Sequence, residues 1–389
     1  MEFEQEQGRN TILQHFGEEE KLKGAVAPPI YQNSLFVFET VDELFNAMSQ
    51  HPAGPDHHYS RISNPTVDIV EKKIAKLEGT DACKVTGCGM AALSIAIMSC
   101  VEQGSHVVAV DTGYGPVKTL LTDYLSKFGV THTFVNGSEV AELEAAIRPE
   151  TTAIYLESPS SLVFQMQDME KIAKVARDRG ISTVCDNTYN TPLHMQPHKI
   201  GIDIVCHSAT KYLGGHSDIT AGAVCASQDR IDRMIRQEIA LLGSILHPFQ
   251  SWLLNRSLRT LEFRLKRHEQ TANLIAAWLE HQPEVERVNH ISLPSYQQRD
   301  LYLKMMSGSG GLFSFEPTNQ DPNKIKAFVD SLKLFQRGVS WGGFESLALC
   351  MPVSPLGYAE KRWIVRLFCG LEDVEDIQAD LQQSLHHLR

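Results

Sequence analysis

Between residues 183 and 216, two short apolar runs each close on a reactive polar residue, and this pattern limits the possible folds more than any other stretch. Thr183-Val184-Cys185 ends in Asp186-Asn187-Thr188, and the next run ends in Ser208-Ala209-Thr210-Lys211-Tyr212-Leu213-Gly214-Gly215-His216. Such runs suggest neighbouring parallel strands whose carboxyl ends line a site. An Asp on one strand end and a Lys on the next, with two hydroxyls beside the Lys, suit pyridoxal 5'-phosphate (PLP). A lysine amine forms a Schiff base with the PLP aldehyde. A carboxylate keeps the pyridine nitrogen protonated, so that the ring accepts the electrons of a carbanion. Ser208 and Thr210 can donate hydrogen bonds to the phosphate, and Lys211 is the candidate catalytic residue.

The surrounding pattern extends this into an α/β architecture. Strands are expected over 106–110, 153–156 and 220–226, with a helix after Asp168 that stops at Gly180. Strand and helix alternate, which means a mostly parallel sheet with helices on both faces. Tyr114 follows the 106–110 strand, where it can stack on a cofactor ring or act as an acid or base. Thr86-Gly87-Cys88-Gly89-Met90-Ala91-Ala92 has the form of a helix start that holds an anion with backbone N–H groups. Asn64 with Pro65 predicts another helix start, and Tyr59 and Arg61 just before it can both reach a phosphate. Residues 1–60 read as an irregular arm that either wraps a partner subunit or packs on its own chain, with a loop over 54–58. A single long helix is expected over 252–279, followed by a strand at 311–315 and a helix from Asp321. Arg366 sits in the apolar run 363–368, so it needs an anion, either a structural carboxylate or that of a substrate.

Composition narrows the partners. The net charge of −11 works against nucleic acid and anionic membranes. The longest apolar stretch, 91–101, is too short to span a bilayer, and the acidic start lacks a signal peptide's apolar core. Eight cysteines sit mostly in apolar runs without a C-x-x-C, as buried reduced thiols do, so a cytoplasmic location is expected. His194 and His198 have i,i+4 spacing, but Pro192 and Pro197 break any helix there, so they read as structural and no metal is expected.

Taken together, Y-S-R-x-x-N-P-T from Tyr59, C-G-M-A-A from Cys88, Y-G at Tyr114, E-S-P-S at Glu157, D-N-T at Asp186, S-A-T-K-Y-L-G-G-H-S-D from Ser208 and S-W-G-G-F-E-S from Ser340 resemble one family. This is the cysteine/methionine-metabolism (trans-sulfuration) group of fold-type I PLP enzymes. It includes cystathionine β-lyase, cystathionine γ-lyase, cystathionine γ-synthase and methionine γ-lyase. The resemblance runs from about Tyr59 to the C-terminus. It implies a seven-stranded, mostly parallel sheet and a smaller α/β C-terminal domain, divided as arm 1–60, PLP-binding domain 61–255 and C-terminal domain 256–389.

The resemblance also implies roles. Lys211 would carry the cofactor and the proton, and Asp186 would pair with the pyridine nitrogen. Gly89, Met90, Ser208 and Thr210 would hold the phosphate. Tyr59 and Arg61 would complete that site from the neighbouring subunit of a homo-oligomer, a tetramer built from dimers. Tyr114 would stack on the ring and assist proton transfer, Arg366 would clamp the α-carboxylate of a small sulfur-containing amino acid, and Ser340 would lie near the lysine. The C-terminal third is most similar to bacterial cystathionine β-lyase. Val339 stands where γ-specific relatives carry an acid, and Pro116 stands where methionine γ-lyases carry a cysteine. Both favour β-elimination. The Tyr59–Thr66 motif is closer to the γ-type enzymes, and Ile62 and Ser161 depart from many relatives. The alternatives are a γ-acting enzyme of the same family and a PLP-binding regulatory protein without significant turnover.

Overall fold

The computed structural model describes residues 7–49, 57–356 and 359–389. The acidic start up to Glu6, and the expected 54–58 loop as far as Asp56, lie outside the described residues.

Seven strands form the first sheet: β1 (Ala82–Thr86), β2 (His106–Val110), β3 (Thr131–Val135), β4 (Thr151–Glu157), β5 (Ser182–Asp186), β6 (Ile204–His207) and β7 (Gly222–Ala226). Their order is β1-β7-β6-β5-β4-β2-β3. Only β7 runs antiparallel to its neighbours, so the expectation of a mostly parallel sheet holds. The central strands are short runs rich in valine, isoleucine, alanine and cysteine, and Val107, Val108, Ile154, Val184 and Val205 are fully buried. Strands covered on both faces need such unbroken apolar runs, because alternation would leave polar side chains under the helices. The carboxyl ends of β1, β2, β4, β5 and β6 therefore open on one edge of the sheet, where the chain changes from apolar to polar residues.

The helices before and after β1 start as the sequence predicts. Helix α1 (Arg9–His15) and helix α2 (Val41–Ser49) lie in the arm, and α3 (Pro65–Glu78) opens on Asn64, whose side chain accepts from the Thr66 N–H. Helix α4 (Gly89–Met98) follows β1, and the short α5 (Gly115–Thr119) follows β2. The Met169–Asp178 helix is capped by Asp168, which accepts from the Lys171 N–H.

The arm divides in two. Residues 9–18 pack on their own chain: Ile12 and Leu13 are buried, and buried Lys73 on α3 donates to Glu18 at 2.8 Å and to the Leu13 carbonyl at 3.1 Å. Arg259 and Asn255 hold the same Glu18 carboxylate. Further on, Val26, Val37, Val41, Phe45 and Met48 face solvent.

The single helix expected over 252–279 is two helices, Pro248–Leu258 and Leu261–Leu279, that meet at Arg259-Thr260. Arg264 explains the break. It is buried in the second helix and donates to the Ser257 and Tyr212 carbonyls, which ties the junction to the turn after Lys211. Beyond it, β8 (Val285–Asn289), β9 (Leu312–Pro317), β10 (Gln336–Arg337), β11 (Leu347–Val353) and β12 (Arg362–Phe368) form a second sheet, in the order β10-β11-β12-β9-β8. It has its own core, including Phe313, Phe315, Phe328 and Phe335. All eight cysteines are free thiols, five of them buried. Among the described residues, no helix is long and apolar enough to cross a membrane.

Candidate active site

The site grows from the strand ends. Asp186 closes β5, and its carboxylate accepts from the Thr188 N–H at 2.9 Å and hydroxyl at 2.5 Å. The Thr188 oxygen in turn accepts from the Ser208 N–H at 2.7 Å, just after β6. This chain of hydrogen bonds locks the Asp and Lys segments together. Burial raises the Asp186 pKa above the usual carboxylate range, while the two Thr188 hydrogen bonds oppose that shift.

Lys211 lies in the turn after β6, with its Nζ 2.5 Å from the Ser340 hydroxyl and 5.6 Å from the centre of the Trp341 ring. Burial, helped by the nearby Arg366 guanidinium, pulls its pKa down to about 8, against the pull of Asp186. A glycine makes this approach possible. Gly342 has φ +87°, and a Cβ there would stand 2.8 Å from the Lys211 carbonyl carbon. Trp341 packs edge-on against Tyr212 at 5.2 Å, and the Tyr212 hydroxyl accepts from the Gly311 N–H at 2.7 Å. The second sheet is thereby fixed against the lysine segment.

Helix α4 points its first turn at the same cavity. Its early N–H groups have no intrahelical acceptor, and Cys88 offers no side-chain cap. A Cβ at Gly89 would lie 2.5 Å from the Ser208 Cβ, so only glycine lets the helix start come this close. The resulting cavity of about 450 Å³ is lined by Gly89, Met90, Tyr114, Asp186, Ser208 and Lys211, among others. It offers backbone and hydroxyl donors for a phosphate, a buried carboxylate for a ring nitrogen, and an amine of lowered pKa for an aldehyde. These residues fit PLP. Thr210 also lines the cavity, but its hydroxyl donates to the Ala221 carbonyl at 3.1 Å and accepts from the Ala221 N–H at 2.9 Å. It can donate to a phosphate only by leaving that carbonyl.

Arg366 on β12 also reaches the cavity. It makes one hydrogen bond, to the Val339 carbonyl at 2.9 Å, and no carboxylate of the described residues pairs with it. Of the two anions expected for it, the structural carboxylate is therefore not found. Tyr59 and Arg61 do not line this cavity. They lie near the surface with the guanidinium 5.0 Å from the ring centre.

Glu157 is the functional residue whose individual role sequence reasoning missed. It closes β4 in register with Asp186 on β5, so two buried carboxylates stand side by side. It accepts from the Tyr114 N–H at 2.6 Å, the Tyr155 hydroxyl at 3.1 Å, and the Ser161 N–H and hydroxyl at 2.6 and 2.5 Å. Burial first, then the Asp186 charge, lift its pKa to about 7. One carboxylate thus pins the Tyr114 turn and the Ser161 loop, which form two walls of the cavity. The signal was available, since Glu157 occupies the same strand-end position as Asp186.

Comparison with known proteins agrees with this geometry. The family model described as Cys/Met metabolism PLP-dependent enzyme matches residues 10–386. The chain belongs to this family. Its cofactor is PLP, and the family acts on sulfur-containing amino acids. The match takes in most of the arm, beyond the Tyr59 start inferred from motifs. The L-methionine gamma-lyase of Pseudomonas putida is 39% identical over 372 residues, 93% of each chain. The cystathionine gamma-lyase of Bacillus subtilis is 34% identical over 395 residues, 98% of this chain and 100% of that one. The solved metY structure of Campylobacter jejuni, which carries N'-pyridoxyl-lysine-5'-monophosphate, superposes with a TM-score of 0.90 at 28% identity and covers 98% of this chain and 100% of its own.

Proposed function

We propose that this PLP-dependent enzyme is a carbon–sulfur β-lyase, which with L-cystathionine and water yields homocysteine, pyruvate and ammonia. The observation that carries the reading is the state of the carboxylates around Lys211. Asp186 is held by Thr188, and Glu157 by Tyr114 and Ser161. Val339 leaves no third acid beside them. γ-Elimination adds the removal of a β-proton, and the described lining offers no further free carboxylate to take it, so Lys211 would have to do so alone.

Bound here, PLP supplies a sink for the electron pair left when the α-proton departs. The residues of the chain do the rest. Arg366, with no competing carboxylate, takes the α-carboxylate of the substrate. Lys211, with a pKa near 8, has a substantial neutral fraction at physiological pH, so its Nζ can accept the α-proton while Ser340 orients it. Burial and the Asp186 and Glu157 charges raise the Tyr114 pKa. The phenol stays protonated and can hand a proton to the departing sulfur. Gly89, Met90, Ser208 and Thr210 serve the phosphate, and Asp186 the ring nitrogen. Tyr59 and Arg61 of a second copy would complete the phosphate site. The exposed apolar residues of the arm, from Val26 to Met48, are in keeping with such an assembly.

A second reading, γ-elimination, is favoured by the 39% identity to a methionine gamma-lyase. S-methyl-L-cysteine and L-methionine separate the two, because the sulfur is on the β-carbon in one and the γ-carbon in the other. We expect holoenzyme to release pyruvate from S-methyl-L-cysteine. Release of 2-oxobutyrate from L-methionine, with S-methyl-L-cysteine untouched, would reject β-elimination.

A further inference from the structure

A second hollow, of about 420 Å³, opens from the cavity and shares Tyr114, Ser161, Val339 and Arg366 with it. Most of its lining side chains are apolar, among them Leu162, Val163, Met351, Pro352 and Val353, with Thr112 and Ser354 beside them, and Val339 is shared with the cavity. These walls are firm. Val163, Val353 and Ile364 form a small buried cluster of their own, with Leu162 and Met351 packed on it. The Leu162 carbonyl accepts from the Ser314 hydroxyl at 2.5 Å. Besides Arg366, the charged residues in its described lining are Asp111 and Lys118, which stand 2.5 Å apart. The second Asp111 oxygen accepts from the Leu356 N–H at 2.8 Å. Both acceptors of that carboxylate are therefore occupied.

A substrate whose α-carboxylate is on Arg366 and whose α-carbon is near Lys211 must send its sulfur substituent past Tyr114 and Val339. That path leads into this groove. A charged tail would lose much of its water there and meet mostly apolar side chains, with Asp111 and Lys118 already paired to each other, whereas an alkyl tail gains from leaving water. We propose that the groove is the subsite for the sulfur substituent, and that it selects L-cysteine S-conjugates with unbranched apolar alkyl tails over those with charged tails. This narrows the substrate class and rests on the β-elimination reading. The step it serves is R–S–CH₂–CH(NH₃⁺)–COO⁻ + H₂O → R–SH + pyruvate + NH₄⁺. The Cα–H and Cβ–S bonds break, the thiol leaves with a proton, and the released enamine tautomerises and hydrolyses without any oxidant.

The test is kcat/KM of the holoenzyme for S-methyl-, S-ethyl- and S-n-propyl-L-cysteine and L-cystathionine, with pyruvate as the readout. A buried methylene is worth about 0.8 kcal/mol, so kcat/KM should rise about 4-fold with each added carbon. S-n-propyl-L-cysteine should also exceed L-cystathionine. Met351→Lys, which brings an ammonium into the groove, should flatten the alkyl series. Pyruvate formation with a flat or falling series, or with L-cystathionine preferred, overturns the groove and leaves β-elimination standing. If only γ-substrates react, the β-reading fails instead, and L-methionine against L-ethionine carries the groove's test. The same rise of about 4-fold supports the groove, and no rise overturns it.

Discussion

Glu157→Gln should make the cofactor-free protein more stable at pH 8 while slowing the enzyme. Glu157 is buried beside Asp186, and its pKa is lifted from the ordinary 4.5 to about 7, first by burial and then by the Asp186 charge. A carboxyl with a raised folded pKa holds its proton in the fold after the unfolded chain has lost it. Stability therefore falls as pH rises from about 4.5 to about 7 and stays low above that. A lift of this size corresponds to about 3 kcal/mol, at 1.36 kcal/mol per unit. Glutamine resembles the protonated acid and escapes the loss. Urea unfolding of cofactor-free wild type and variant at pH 5 and pH 8 reads this effect, because groups that do not interact with Glu157 cancel in the double difference and only the Glu157–Asp186 site and its neighbours remain. We expect the variant to gain up to about 3 kcal/mol on the wild type between the two pH values, and less once PLP places a positive ring nitrogen opposite Asp186. The variant loses charge-assisted bonds to the Tyr114 and Ser161 N–H groups, so kcat should fall about 10-fold or more. A double difference near zero would refute the reasoning about the paired carboxylates.

Three other outcomes follow from the site. Arg366→Ala should raise KM for amino-acid substrates by about 10- to 150-fold, the loss of roughly 1.5–3 kcal/mol from a charge-assisted contact, and an unchanged KM would remove Arg366 from the carboxylate role. The rate at which cofactor-free protein takes up PLP should rise with pH around a midpoint near 8, where Lys211 loses its proton, and a midpoint near 10.5 would contradict the buried amine. Gly89→Ala places a Cβ 2.5 Å from the Ser208 Cβ and should weaken PLP binding in a spectroscopic titration by about 10-fold or more, at an overpacking cost of about 1–3 kcal/mol. Unaltered affinity would show that the start of α4 does not hold the phosphate.

Local chemistry made much of this legible in the sequence. The strand ends at Asp186 and before Ser208 were visible because apolar runs change abruptly to polar residues there. Asn64-Pro65 and Asp168 announced their helices because an N-cap is a contact between residues two or three apart. What stayed hidden depends on contacts far along the chain. The helix break at Arg259-Thr260 is set by Arg264 reaching the Tyr212 carbonyl 52 residues away, and no periodicity records that. Glu157 reads as a polar strand end until β4 and β5 bring it level with Asp186 and the Tyr114 turn folds over it. Arg366 showed that it needed an anion, but only the fold shows that no carboxylate of the described residues meets it. The first half of the arm packs on its own chain because Glu18 meets Lys73 and Arg259, 55 and 241 residues away.

L-cystathionine provides the most direct measurement, because it carries a β-carbon–sulfur bond and a γ-carbon–sulfur bond to the same atom. Holoenzyme is mixed with it, and the keto acid and thiol released are identified by mass. We expect pyruvate with homocysteine, produced by Lys211 removing the α-proton of the cysteine half and absent from Lys211→Ala. Release of 2-oxobutyrate with cysteine would show that the enzyme cuts on the γ-side and that the missing acid at Val339 does not decide the chemistry.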